Sequence, residues 1–227
     1  MMLINADFTQ RAELLPEQYV WIPSPQGGVE RVMLDRIGAE KAIATSIVCY
    51  AKSSHFPEHT HPGGEEILVL DGVFSEGGKD YPAGWYMRNP PGSAHQPSSE
   101  SGATIFVKLW QMPSTEASFV RVNTNDPANW MIRGTRKICP LFAGNGEEVM
   151  LMRLAASERL FVEHAGGAEI LVTEGSFKAK SRTYSKGSWI RLPRGGGAEF
   201  VVGATGATFY LKTGHLPVAE ADLRPLP

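Results

Sequence analysis

The chain has 227 residues, 42% of them hydrophobic, with a formal net charge of −2 and a sequence pI near 6.3. That charge balance excludes the electrostatic footprint of a nucleic-acid or anionic-membrane binder, and the length suits one large domain or two small ones. The two cysteines, Cys49 and Cys139, are too few for a disulfide framework and form no CxxC pair. With no signal-peptide pattern over residues 1–18 and no long apolar run, a cytoplasmic protein is expected.

Taken in chain order, Asn5–Gln18 reads as a short helical turn and Ile43–Tyr50 as the first long apolar strand. The window His59-Thr60-His61-Pro62-Gly63-Gly64-Glu65 follows. Histidines at i and i+2 share one face of a strand, because side chains alternate with a period of two. Ile67–Leu70 is the next strand, closed by the hairpin-type signal Asp71-Gly72. Gly84 and the run Pro90-Pro91-Gly92-Ser93-Ala94-His95 bring a third imidazole. Thr104–Trp110 reads as a strand and Glu116–Trp130 as a polar crossover. Glu147–Leu154 and Thr208–Lys212 are further strands, and Glu174-Gly175 is a second hairpin-type signal. The texture is all-β, of antiparallel barrels or sandwiches.

The sequence also contains itself. Gly63–Phe74 returns as Gly166–Phe177 at an offset of 103 residues, and Tyr81, Gly84, Arg88, Pro90 and Gly92 meet Tyr184, Gly187, Arg191, Pro193 and Gly195. A shared order of turn glycines and strand residues implies two copies of one fold, with boundaries expected at 1–118 and 119–227.

The first copy resembles a cupin. The HxH, Glu and Gly of that family's first motif fall on His59, His61, Glu65 and Gly72. The Gly, PxG and His of its second fall on Gly84, Pro90, Gly92 and His95, with Ser99 where an Asn is usual. More narrowly, HTHPGGEEILVLDGVF and the stretch through His95 are similar to the cupin-like domain of the ChrR anti-sigma factor, over roughly residues 21–112. The resemblance implies tandem jelly-roll barrels and one divalent metal per chain on His59, His61, Glu65 and His95. Zinc is the family precedent; iron, manganese and nickel suit the same donors. It also implies a homodimer and either of two roles. One is a sensory or regulatory module related to oxidative-stress signalling. The other is a metal-dependent dioxygenase or hydrolase acting on a small-molecule ligand held in the first barrel. The CxxC of an anti-sigma zinc site is absent, and no catalytic residue is assigned beyond the ligands.

The second copy sends His59 to Val162, His61 to His164, Glu65 to Ala168 and His95 to Ala198, so it is expected to be metal-free, with its barrel filled or narrowed. The competing reading of the four ligands is a satisfied polar cluster in a strand-rich core. Glu66, Tyr81, Arg88 and Lys108 recur in the metal-poor copy as Glu169, Tyr184, Arg191 and Lys212, which argues for structural roles. Cys49 reads as a small apolar side chain, His55 as a loop residue and His164 as a relic. Tyr86, Met87, Lys108 and Trp110 are candidate pocket walls.

Overall fold

A computed structural model describes residues 2–39, 41–134 and 136–217. Among them there is no α-helix; strands dominate, with single 3-10 turns at Pro16–Gln18 and Pro127–Asn129. The described residues divide into two compact units: residues 2–6 with Val20–Asn125, and Asp7–Tyr19 with the described residues from 126 to 217.

Strand order is the same in both units. The first runs Leu3–Ile4, Val29–Gly38, Ala42–Tyr50, Ala103–Leu109, Glu65–Glu76, Trp85–Asn89, Val120–Asn123. The second runs Met131–Arg133, Arg136–Gly144, Glu147–Leu154, Gly197–Thr213, Ala168–Ala179, Trp189–Leu192, Ala12–Leu14. All of these pairings are antiparallel. The last place in each order is filled from outside the sequence repeat, by the segment between the copies in one unit and by an N-terminal segment in the other. A division at 118/119 was expected; the structure instead divides at Asn125/Asp126 and sends Asp7–Tyr19 to the second unit. The helical turn expected over Asn5–Gln18 shrinks to Pro16–Gln18 behind a strand, and the expected crossover contains the strand Val120–Asn123.

Asp71-Gly72 is not a hairpin turn. It lies inside the continuous strand Glu65–Glu76, where Thr104 pairs with Asp71 and Ile105 with Val69, leaving Leu70 as an unpaired bulge residue. Gly72 has φ +70°, and a Cβ there would collide with the Gly102 carbonyl, so the close approach requires glycine. Gly175 repeats this at φ +69° against Gly206. The hairpin turns come later, at Gly77-Gly78 and at Lys180-Ser181.

Each unit has its own apolar interior. In the first, Val29, Ile67, Val69, Phe74, Met87 and Ile105 pack together. In the second, Phe177, Phe200, Phe209 and Tyr184 form a ring cluster with centroids 4.7–6.0 Å apart within the apolar interior.

Leu15 is buried in that second interior at 7% exposure, although it precedes the whole first copy. Leu15→Ala should therefore cost about 2–4 kcal/mol in chemical denaturation. Amide exchange should accelerate in Trp189–Leu192, the partner of Ala12–Leu14, and stay unchanged in Ala103–Leu109; acceleration only in the latter would place Leu15 in the wrong unit.

Candidate metal centre

The candidate ligands stand on two three-residue strands, His59–His61 and Ser93–His95, which pair antiparallel so that His59 lies opposite His95 and His61 opposite Ser93. A tight turn through Gly63 and Gly64 returns the chain at once into Glu65. The His61 carbonyl accepts from Gly64 N at 3.0 Å and from Gly92 N at 2.9 Å, tying both motif loops to one atom. The second unit keeps the same frame: the His164 carbonyl accepts from Gly167 N at 2.9 Å and Gly195 N at 3.1 Å.

One ligand atom from each of His59, His61 and His95 lies within 4.8 Å of the others. His61 Nε2 and His95 Nε2 are 2.9 Å apart, and Glu65 Oε2 is 3.5 Å from each of them. The structure thus brings all four sequence-identified residues together. His61 and Glu65 are buried, and His59 is partly exposed. His59 Nδ1 donates to the Pro57 carbonyl at 2.9 Å and His95 Nδ1 donates to Glu76, which frees both Nε2 lone pairs. Donors bonded at about 2.0–2.1 Å to one ion lie about 3.0–3.4 Å from one another, close to the 2.9 and 3.5 Å separations among His61, His95 and Glu65. Two bare imidazole lone pairs at 2.9 Å repel unless a proton or a cation lies between them. The residues fit a divalent metal.

Sequence reasoning missed the residues that hold these ligands. Glu76 accepts from His95 Nδ1 and, through its other oxygen, from Arg121 Nη2 at 2.7 Å. Arg121 Nη2 also donates to Asn89 Oδ1 at 2.6 Å, and Asn89 Nδ2 donates to Glu65 Oε2 at 3.0 Å. The chain His95–Glu76–Arg121–Asn89–Glu65 therefore links two ligands through three further side chains. Alternation from Glu65 would put Glu76 on the opposite face, and the bulge at Leu70 reverses that parity. Arg121 reaches the interior because it lies opposite Met87, a core residue.

These contacts set the charges. Burial pushes His61 below its ordinary pKa, against the opposing pull of Glu65. Burial acts on His95 in the same direction, but the Glu76 hydrogen bond and the charges of Glu65 and Glu76 outweigh it and leave its pKa raised. Burial would raise Glu76; the His95 hydrogen bond and the His95 and Arg121 charges outweigh it and leave it lowered. Tyr50 is pushed well up by burial and then by Glu65 and Glu76, so its phenol stays protonated.

The remaining sequence candidates fall elsewhere. Arg88 Nη1 donates to Glu66 Oε2 at 3.1 Å and Lys108 Nζ to Thr45 Oγ1 at 2.8 Å, structural contacts as expected. Of the four proposed pocket walls only Met87 packs into the core around the site. Tyr86 lies opposite Leu68, and Lys108 opposite Glu66, on the alternate face; Trp110 packs on the Gly63 turn. His55 is exposed, and Ser99 Oγ donates to the Val73 carbonyl at 2.6 Å. Cys139 is a buried thiol pushed up to about 11 by burial. A cavity of about 610 Å³ opens beside His95, lined among others by Glu76, Asn89, Arg121, Tyr81 and Phe119. None of the described helices is long and apolar enough to cross a membrane.

Solved structures share this architecture. A candidate dioxygenase from Nostoc punctiforme superposes with a TM-score of 0.75 at 14% identity, covering 93% of this chain and 85% of that one. The pirin YhhW from Escherichia coli, in complex with nickel(II), gives 0.68 at 12% identity over 92% and 100%. The protein Ylba from E. coli gives 0.69 at 16% identity over 94% of each chain. At such identities these likenesses establish the fold alone. No curated protein matches the chain. The ChrR cupin-like domain family matches twice, over residues 9–113 and 120–217, which together span most of the sequence and both repeats. This chain, two tandem cupin barrels with a histidine cluster in the first, therefore belongs to the ChrR cupin-like domain family.

Proposed function

We propose that the protein is a metal-dependent cupin that holds one divalent ion in its first barrel on His59, His61, His95 and Glu65, and turns over a small oxygenated molecule there. The observation that carries this is the convergence of three imidazole nitrogens within 4.8 Å, with the Glu65 carboxylate 3.5 Å from two of them. When bound, such an ion supplies Lewis acidity and, if it is iron, manganese or nickel, a means of binding dioxygen.

The protein's own groups account for the rest. Pro57 and Glu76 fix the orientation of His59 and His95 through their Nδ1 protons. Tyr50, buried and held as a neutral phenol, belongs to the same interior and is replaced by the register-equivalent Leu154 in the second copy. The cavity beside His95 gives a small molecule room on that side of the site.

Family membership favours a second reading, in which the occupied barrel is a sensory or regulatory module and zinc the resident ion. Dioxygen uptake by the iron(II)-loaded protein with small dicarbonyl or enolic compounds separates the two. Steady uptake supports the enzyme; an inert iron form with an unaltered fold supports the regulator. A cytoplasmic homodimer belongs to either proposal.

Elemental analysis of the purified chain should give one metal per chain, and His61→Ala should remove it. Two metals per chain, or unchanged content in the variant, would refute the assignment.

Chelation should accelerate amide exchange in the first unit's strands His59–His61 and Glu65–Glu76 while leaving Ala168–Ala179 protected. An ion bound a thousandfold above its dissociation constant contributes about 4 kcal/mol to the unit that holds it. Equal loss of protection in both units would count against a single site.

Metal loading should also fall with pH. Occupancy requires a free Nε2 on His95, and the raised pKa of that group makes protons compete from above the ordinary histidine range downward. Loading that stays flat well below that range would show that His95 is not a ligand.

A further inference from the structure

The two barrels share a backbone frame, so each residue of the first has a register partner in the second that reports what the frame alone requires. The outer-face charges pass that comparison. Glu66 faces Arg88 and Lys108 across neighbouring strands, and Glu169 faces Arg191 and Lys212 in the same places. All six are buried, so the frame keeps this set with or without ligands nearby.

The residues linking His95 to Glu65 behave in the opposite way. Glu76 and Ala179 each end their long strand. Asn89 lies opposite Glu65, and Leu192 lies opposite Ala168. Arg121 is opposite Met87, while the corresponding place opposite Ile190 is held by Glu13, a reversal of charge. Glu13 bonds the Tyr184 hydroxyl at 2.8 Å and pairs with Arg182, so the exchanged place serves a different network. All three linking residues are absent where three of the four ligands are absent. A purely structural need of the frame would have kept them, as it kept Glu66, Arg88 and Lys108.

The geometry points to Glu76 and Arg121 as positioning residues of the metal centre, with Arg121 delivered by the segment that follows the first copy. The inference rests on the metal site proposed above and extends it from four residues to seven, with Asn89. Glu76 takes the His95 Nδ1 proton in a hydrogen bond and so fixes the ring and increases the electron density at Nε2. Arg121 holds Glu76 and Asn89 through a single nitrogen, and Asn89 in turn holds Glu65 Oε2, so one guanidinium sets the orientation of a ligand on either side. Its other terminal nitrogen donates to the Arg88 and Val120 carbonyls at 3.1 and 2.8 Å, which locks the guanidinium to the two paired strands.

The test is competitive titration of the metal-free, full-length protein with cobalt(II) against a chelator, recording affinity and the visible ligand-field bands. Arg121→Gln removes the charge and the fork; Glu76→Gln keeps an acceptor of the same shape beside His95 and removes the charge and the second acceptor oxygen that Arg121 uses. Each should weaken cobalt(II) binding about 10- to 100-fold and shift the bands, because the ligands turn. Arg121→Lys, which keeps the charge but loses the second terminal nitrogen that locks the side chain to the Arg88 and Val120 carbonyls, should recover part of the affinity. Arg133→Gln, which breaks an exposed ion pair with Glu148 in the second unit, should change neither readout. A lower melting temperature with wild-type affinity and spectrum in Glu76→Gln and Arg121→Gln would reduce the pair to scaffold and overturn the inference. If Arg121→Gln does not fold, Glu76→Gln decides the matter alone. A wild-type chain that takes up no cobalt(II) would overturn the metal site itself and this inference with it.

Discussion

Between Glu65 and Gly72 the strand Glu65–Glu76 carries one residue more than Ala103–Leu109 pairs with, and that surplus governs what faces the interior of the first barrel. Before Leu70, odd-numbered side chains point inward: Glu65 to the site, Ile67 and Val69 to the core. After it the even-numbered ones do, Phe74 to the core and Glu76 to His95. Without the bulge Glu65 and Glu76 could not come from one strand and face one centre. Gly72 makes the bulge sterically possible, since no side chain fits against the Gly102 carbonyl. The motif glycine thus belongs to the chemistry of the site as much as the histidines do.

The same bulge in Ala168–Ala179 lies against an interior built from apolar groups. Val162, Ala168 and Ala198 stand where two imidazoles and a carboxylate stand in the first unit. Without a cation to satisfy them, those polar groups would each cost several kcal/mol to bury. Phe177, Phe200 and Phe209 take up space around them, with Leu192 in place of Asn89. The His164 side chain has a contact that needs no metal, its Nδ1 accepting from Gly166 N at 3.0 Å.

How much of this could be read from the sequence depended on whether a residue's role was local. HxH spans three residues, so alternation placed its two histidines on one face; the cupin resemblance added Glu65 and His95, and the duplicated glycines and prolines gave the two-barrel fold. Glu76 was hidden because a single unpaired residue reverses strand parity without any mark that separates a bulge Asp-Gly from a hairpin Asp-Gly. Asn89 was hidden because its partner Glu65 lies on another strand, a relation fixed by register. Arg121 lay in a stretch whose polarity reads as a linker. The strand there is held by pairing with Trp85–Asn89, and its exposed neighbour Phe119 gives no alternating pattern.

That last segment shows why the ligands and the domain that holds them are not the same stretch of sequence. A cut at 118/119 respects the repeat and keeps His59, His61, Glu65 and His95 together, yet it leaves Arg121 and the strand Val120–Asn123 on the other piece. The edge of Trp85–Asn89 is then unpaired, Glu76 loses the cation that offsets its charge, and Asn89 loses the donor that holds its Oδ1. The second unit is bound to the N-terminus in the mirror sense, through Ala12–Leu14 and the buried Leu15. Each barrel is completed by a strand that its own repeat does not encode. The connection between the copies therefore carries the strand that sets Arg121 against Glu76 and Asn89 in the first.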